Sequence, residues 1–386
     1  MTGIWAQHQY GIIFFLLAVL CICLANLCTF RRMSGFGAPR DFPLVSILIP
    51  ARNEEENIVR CLESVLAQDY PCFEVVVLDD GSRDRTWEIL SHLSSRDPRL
   101  RVIRGSEPPP GWTGKNWACH QLSLQAGGEL LLFTDADTFH HPESLCRAVA
   151  ALQESGADLL TALPRQEMLT PGEKMAVPIL GWSVLCFFPL FLAHRLKAPF
   201  LSAAVGQFML FRRSAYYRAG GHRAIRAEIA DDFALARRIK SEGLNLEFLD
   251  GGDLLVCRMY RGLSSAFHGL TKSLFPAFGC RVILFVFVWT WLAVVFLEPP
   301  LVLAGGSLRW VRSESALLLA GIEVSLSLLL WSLAARRLVL GRAAIFLYPA
   351  VVALGTAAAI TSLAKSLLGA SIWKERTLPR PRPRWP

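Results

Sequence analysis

The strongest constraint on this chain is a run without a charged residue, Gly11 to Phe30, closed at once by Arg31 and Arg32. A helix of about 20 apolar residues crosses the roughly 30 Å hydrocarbon core of a bilayer. No Lys or Arg precedes the run, whereas a secretory signal peptide carries its positive charge in front. The positive-inside rule then puts the N-terminus outside and residue 31 onward in the cytoplasm. The chain is 53% hydrophobic and only 19% charged, which is apolar for a soluble protein. A formal charge of +8 suits a surface lying against anionic lipid. It would also suit nucleic acid, but no stripe of Lys and Arg with interleaved aromatics is present, so no nucleic-acid partner is expected. The 10 cysteines form no CxxC pair. Cys61, Cys72, Cys119, Cys146 and Cys257 fall in the polar central segment, where free thiols fit a reducing cytoplasm.

Gly35 to Pro43 reads as a linker, and from Leu44 the pattern changes. Short β-rich runs at Leu44–Pro50, Phe73–Leu78, Leu100–Arg104 and Glu129–Thr134 alternate with helical stretches at Glu54–Ala67, Asp84–Ser94 and Asn116–Ala126. Alternation of this kind predicts an α/β domain with a mostly parallel sheet, whose ligands bind at the carboxyl ends of the strands. Met175 to Phe200 is apolar but broken by Pro178, Gly181, Pro189 and Arg195. It reads as an interfacial segment in the headgroup region or as a buried pair of core helices.

Hydrophobic runs return after Arg281: Val282–Leu297 continuing into Pro299–Ala304, then Ala316–Ala335, then Ala343–Leu363. Arg336, Arg337 and Arg342 mark a cytoplasmic loop between the last two. The expected organisation is an N-terminal anchor (1–32), a cytoplasmic domain (40–265), C-terminal spans (266–372) and a basic tail (373–386), in a multi-pass protein of the cell (inner) membrane. Lys374, Arg376, Arg380, Arg382 and Arg384 argue for a cytoplasmic tail. Three spans after a cytoplasmic domain would leave that tail outside. A re-entrant or interfacial segment would remove the conflict, and the sequence does not say which one.

Four acidic or basic clusters sit where the strands end. Val75 to Leu78 run into Asp79-Asp80-Gly81-Ser82, where an acid can accept hydrogen bonds from a base or ribose and Gly81 permits close approach. Phe133-Thr134 runs into Asp135-Ala136-Asp137, two carboxylates that can share a hard divalent cation, Mg²⁺ or Mn²⁺. Asp231 and Asp232 open a helix, either as ordinary caps or as a proton acceptor with a charged neighbour. Gly111-Trp112-Thr113-Gly114-Lys115 precedes a helix, and Lys115 can meet phosphate there. Each has a bland reading as a turn, a cap or a surface loop; their order in one chain is what carries weight.

Taken in order with Ser46-Ile47-Leu48-Ile49-Pro50-Ala51-Arg52-Asn53-Glu54-Glu55, these residues resemble glycosyltransferase family 2, whose members have the GT-A fold. The resemblance covers roughly residues 44 to 262. A finer one, carried by Pro110 to Lys115, Gly206-Gln207-Phe208, Gly220-Gly221-His222 and Arg258 to Gly262, is to membrane enzymes that glycosylate carotenoid and hopanoid-type lipids. It implies that Ala51, Arg52, Glu54, Asp79 and Asp80 lie near the donor nucleotide. Asp135 and Asp137 would hold the metal and diphosphate, and Lys115 would help bind the donor. Asp232 matches the catalytic base. Asp231 stands where many relatives carry Glu, which keeps the charge on a shorter arm. Gln207, His222, Arg258 and Arg261 would border the acceptor. The QxxRW motif of processive relatives is absent, since no Gln follows Gln207. The resemblance thus implies an inverting transfer of one sugar, by family habit glucose from UDP-glucose, to a lipid acceptor. A polysaccharide synthase and a non-catalytic membrane scaffold are the rivals, and nothing in the sequence sets the oligomeric state.

Overall fold

The computed structural model describes residues 2–308, 310–311, 313–380 and 382–385; Met1, Arg309, Arg312 and the tail residues Pro381 and Pro386 lie outside it. The first helix, α1 (Thr2–Thr29), carries the apolar run. Then follow β1 (Val45–Ala51), α2 (Ile58–Leu66), β2 (Phe73–Asp79), α3 (Thr86–Ser94), β3 (Leu100–Arg104), α4 (Gly114–Gln125), β4 (Leu130–Phe133), β5 (Thr138–His140), α5 (Ser144–Ser155), β6 (Leu159–Leu163) and β7 (Arg165–Gln166). Next come α6 (Pro171–Ala176), α7 (Pro178–Phe187), α8 (Leu190–Ala193), β8 (Met209–Arg212), α9 (Arg213–Arg218), α10 (Gly221–Ala224), α11 (Asp231–Ser241), β9 (Leu246–Asp250) and β10 (Leu255–Cys257). The C-terminal part holds α12 (Gly262–Ala277), α13 (Val282–Ser307), α14 (Glu314–Leu338), α15 (Arg342–Phe346), α16 (Tyr348–Leu368), β11 (Ile372–Trp373) and β12 (Arg376–Thr377).

The main sheet has the order β3-β2-β1-β4-β8-β6-β9. All its neighbours are parallel except β8, which runs against both β4 and β6. The sheet is therefore mostly parallel, with one reversed strand that brings the segment before it, residues 202–208, to the carboxyl end of β4. Side chains alternate between two cores, as the pleat dictates. Val45, Ile47, Ile49, Val75, Val77, Leu130 and Leu132 face α2 and α5. Leu48, Val76, Leu78, Leu131 and Phe133 face the other way, into a cluster that continues without a break to Trp182, Phe296 and Trp331. The catalytic-type domain and the apolar helices thus share one core. All 10 cysteines are free.

Four helices are long and apolar enough to cross a membrane: Gln7–Thr29, Val282–Ser307, Glu314–Leu338 and Tyr348–Leu368. α13 continues through Pro299 and Pro300 as one helix, a tolerance common in apolar surroundings. The segment at 175–200 is short helices, with Trp182, Leu185 and Leu190 buried; Asn26 of α1 clamps it through the carbonyls of Leu185 and Phe188 at 2.8 and 2.7 Å. Its buried side chains fit the core-helix reading of this stretch.

The helix ends show which sides meet the domain. Below α1, Asp250 N donates to Arg31 O at 2.9 Å. At the end of α14, Arg337 pairs with Asp250 at 2.9 Å and donates to Phe30 O at 2.6 Å. At the start of α13, Val282 N donates to Arg384 O at 2.8 Å. Near the end of α16, Ser362 Oγ accepts from Phe275 N of α12 at 3.0 Å. Both the end of α14 and the chain leaving α16 are therefore attached to the same domain. The tail, read from the sequence as a basic extension, instead folds back on that domain as the β11–β12 hairpin.

α12 is seated by Glu173, whose side chain is fully buried. Its carboxylate completes a capping box with Thr170 and accepts from Gly262 N at 2.8 Å and Arg258 Nη2 at 3.0 Å. Removing one partner of such a buried set leaves the other uncompensated. Glu173→Ala is expected to destabilise the protein by about 3–5 kcal/mol, read as a lowered thermal midpoint of the detergent-solubilised chain.

Candidate active site

The cleft forms where four loops leave the sheet. After β1, Asn53 takes a positive φ of 51° and the loop latches to the next one. Asn53 N donates to Ser82 Oγ at 3.0 Å, and Glu54 N to Thr86 Oγ1 at 2.8 Å. This latch occupies residues 53–57, so α2 starts at Ile58 rather than at Glu54. After β2, Gly81 has φ 68° and Asp79 Oδ1 accepts from Ser82 N at 3.3 Å. Asp79 thereby shapes the turn and is absent from the cavity lining, whereas Asp80 faces the cavity.

α4 begins with Thr113 as N-cap, accepting from Asn116 N at 3.2 Å. The buried Asn116 amide donates to Ile225 O at 2.8 Å and to Glu228 O at 2.9 Å, tying this helix start to the loop that leads into α11. That tie brings Lys115 to Asp231. Its ammonium lies 2.9 Å from Asp135 Oδ1 and 3.3 Å from Asp231 Oδ2. Burial disfavours the charge on Lys115, but the two carboxylates win and raise its pKa well above the usual lysine range.

The two acids at the start of α11 separate in character. Burial and the neighbouring Asp231 push Asp232 up to about 7. Burial would also raise Asp231, but Lys115 outweighs it and holds Asp231 below the ordinary carboxylate range. The Asp232 carboxylate accepts from Phe233 N at 2.8 Å and from Gly206 N at 3.3 Å. One acid is thus a fixed anion and the other a group able to take up a proton near neutrality. At the end of β4, burial and Asp135 push Asp137 to about 7 as well. Its side-chain partners are Thr138 Oγ1 and Cys257 Sγ, each at 3.4 Å.

Asp135 and Asp137 are adjacent, partly buried carboxylates with Lys115 paired to the first, and their hard oxygens suit Mg²⁺ or Mn²⁺. Among the described residues no group of three or more His, Cys, Asp or Glu side chains is placed to hold a metal. Asp135 and Asp137 would therefore share such an ion with oxygens from a ligand.

Of the other expected residues, Ala51, Arg52, Glu54 and Gln207 line the same cavity. His222, Arg258 and Arg261 do not. The buried His222 ring sits behind Asp231, with Nδ1 2.8 Å from Tyr216 Oη, and burial lowers its pKa to about 3. Arg258 is engaged by Glu173, and Arg261 by Glu56 at 3.0 Å and Asn57 Oδ1 at 2.8 Å. These two arginines anchor the start of α12 instead of bordering an acceptor. Sequence reasoning missed Lys272, whose ammonium looks onto Asp231, Asp135 and Asp232 and is lowered to about 8 by burial and Lys115. A lone Lys in the otherwise apolar stretch of α12 was the available signal.

A parallel sheet with one reversed strand, acids at the ends of β2 and β4 and a further pair opening the helix behind them define a GT-A-type glycosyltransferase domain. Residues 46–220 match the family model described as glycosyl transferase family 2. Glycosyltransferase AglE of Haloferax volcanii is 37% identical over 120 residues, 31% of this chain and 38% of that protein. The 4,4'-diaponeurosporenoate glycosyltransferase of Staphylococcus haemolyticus is 27% identical over 235 residues, 60% of each chain. These matches span less than two thirds of the relatives' own length. A mannosyltransferase from Pyrobaculum calidifontis, solved with GDP-Man and Mn²⁺, superposes with a TM-score of 0.53 over 93% of this chain and 99% of its own, at 19% identity, which shows a shared fold. The family match ends at residue 220, before Asp231 and Asp232, which the fold brings to the same cluster as Lys115.

Gly206 lies at the centre of the cluster. A Cβ there would stand 3.1 Å from Lys115 Nζ, 3.6 Å from Asp135 Oδ2 and 4.0 Å from Asp232 Oδ2. Gly206→Val is expected to lower sugar transfer on the order of a hundredfold by displacing these groups, while the thermal midpoint stays near that of the unaltered chain.

Proposed function

We propose that the chain transfers one sugar from a nucleotide-sugar donor to the hydroxyl of a membrane-lipid acceptor, with inversion at the anomeric carbon. The observation that carries this reading is a single cavity of about 1280 Å³. One end holds Arg52, Glu54, Asp80, Lys115, Asp135 and Asp137; the other is walled by Phe15 of α1, Phe187 of α7 and Phe287 and Trp291 of α13. An ionic end joined to an apolar end, with Asp232 between them, fits a charged donor meeting an apolar acceptor. The name of the Staphylococcus haemolyticus relative, which points to a carotenoid-type acceptor, supports the same choice.

In this reading Arg52 and Asp80 orient the nucleotide, and Lys115 meets its diphosphate. A divalent cation held by Asp135 and Asp137 would offset charge on the departing nucleoside diphosphate. Asp232 accepts the proton of the acceptor hydroxyl as that oxygen bonds to the anomeric carbon, and the bond from that carbon to the diphosphate breaks on the opposite face. Asp231 stays ionised against Lys115 and keeps the Asp232 carboxylate basic. No covalent enzyme intermediate is needed.

The helix ends support a topology. We infer that α1, α13 and α14 cross the membrane, and that α16, which starts after α14 and returns to the domain through Ser362 and the hairpin, does not. Three crossings leave the domain and the basic tail together on the cytoplasmic side, as the arginines require.

Asp232→Ala is expected to abolish transfer while nucleotide binding, measured by titration, stays within a fewfold of normal; near-normal transfer would overturn the assignment. In the intact chain kcat/KM should rise with pH and level off above about 7, where Asp232 is deprotonated. A profile flat from pH 5 to pH 9 would remove Asp232 from the role of base.

A further inference from the structure

The β11–β12 hairpin closes the ionic end of the cavity. Lys374 forms an ion pair with Glu54 and donates to Arg52 O at 2.6 Å, while its own carbonyl accepts from Arg52 Nε at 3.2 Å. Arg376 Nη1 reaches Asp80 Oδ2 at 2.5 Å. Trp373 lies under Lys272, whose ammonium is 3.5 Å from the ring centroid. At the rim Glu375 pairs with Arg83 at 3.1 Å. The fit against the helix α4 is close: a Cβ on Gly114 would come within 2.5 Å of Arg376 Nη1 and 3.1 Å of Asp80 Oδ2. A basic tail merely attracted to an acidic surface would not thread its cations between two loops of the site.

We propose that Lys374 and Arg376 are donor-binding residues, and that the hairpin forms a wall of the nucleotide-sugar pocket and presents its two cations to the diphosphate. The inference rests on the transferase reading above. Charge explains why the pocket needs them. Glu54, Asp80, Asp135, Asp137, Asp231 and Asp232 line this part of the cavity, against Arg52, Lys115 and Lys272 from the rest of the chain. Lys115 is already engaged by Asp135 and Asp231. Without the hairpin six acids face three cations, an excess of negative charge that repels an anionic ligand. With Lys374 and Arg376 five cations face the six acids, and a diphosphate can draw these two from Glu54 and Asp80 by charge-assisted hydrogen bonds.

The test is calorimetric titration of UDP and of GDP, each with Mn²⁺, into the full-length chain in detergent. Lys374→Ala and Arg376→Ala are each expected to weaken binding of the better nucleotide on the order of tenfold or more, with Arg376→Lys intermediate. Gly114→Ala, which replaces neither cation but would set a Cβ 2.5 Å from Arg376 Nη1 and displace it, should weaken binding in the same direction. Matched thermal midpoints show that the variants are folded. Unchanged affinity in the alanine variants would overturn the proposal. Tighter binding would overturn it too, since the hairpin would then be a plug competing with the donor. An intact chain that binds nucleotide yet transfers no sugar would sink the transferase reading and leave the hairpin result standing; one that binds neither nucleotide would sink the hairpin proposal itself.

Discussion

The cleft is organised around one ammonium group. Lys115 reaches Asp135 after β4 and Asp231 at the start of α11, so it joins three stretches of chain far apart in sequence. Its position is fixed before any charge acts, because Thr113 caps α4 and the Asn116 amide is spent on the carbonyls of residues 225–228. Electrostatics then follow from placement. A cation between two carboxylates holds Asp231 ionised, and an ionised Asp231 beside Asp232 raises the latter toward neutrality. The same lysine lowers Lys272, which overlooks the group from α12. The acid–base character of the site is a consequence of where one backbone loop is tied.

The second dependence is on the membrane helices. One hydrophobic cluster runs from the sheet face at Leu131 and Phe133 to Trp182, Phe296 and Trp331. Trp182 stacks on Trp331 with ring centroids 4.6 Å apart, so α7 of the domain packs directly on α14. Arg337 and Asp250 are both largely buried at this junction, and a buried pair of this kind contributes more to fixing orientation than to net stability. The domain therefore does not swing on a tether. Its cleft is held at a fixed position against the apolar helices.

How much of this could be read from the sequence follows from what sequence patterns encode. The strands β1 to β4 were legible within a residue or two, because buried parallel strands read as continuous apolar runs. The acids at 79–80, 135–137 and 231–232 were legible because strand ends place side chains at a ligand site whatever the rest of the fold does. The reversed strand β8 was not legible, since its four residues look like any buried strand and direction leaves no mark on composition. His222 was set on the acceptor side by the resemblance; its ring is buried against Tyr216 and lies outside the cavity lining. Arg258 and Arg261 were placed there by analogy of position, and the partner that overrides this, Glu173, sits 85 residues from Arg258.

The tail shows the same limit in its sharpest form. Five basic residues after Trp373 have one appearance in sequence whether they are solvated or docked. What separates the two cases is a set of carboxylates near residues 54 and 80, about 300 positions earlier in the chain. In the proposed topology α16 is the apolar helix that does not cross, and the chain leaving it stays on the side of the cleft, where the hairpin meets Glu54 and Asp80. A fourth crossing would carry Lys374 and Arg376 to the far side of the bilayer, roughly 30 Å from Glu54 and Asp80. The proposed topology of α16 and the proposed donor pocket therefore stand or fall together, linked by the few residues between Leu368 and Trp373.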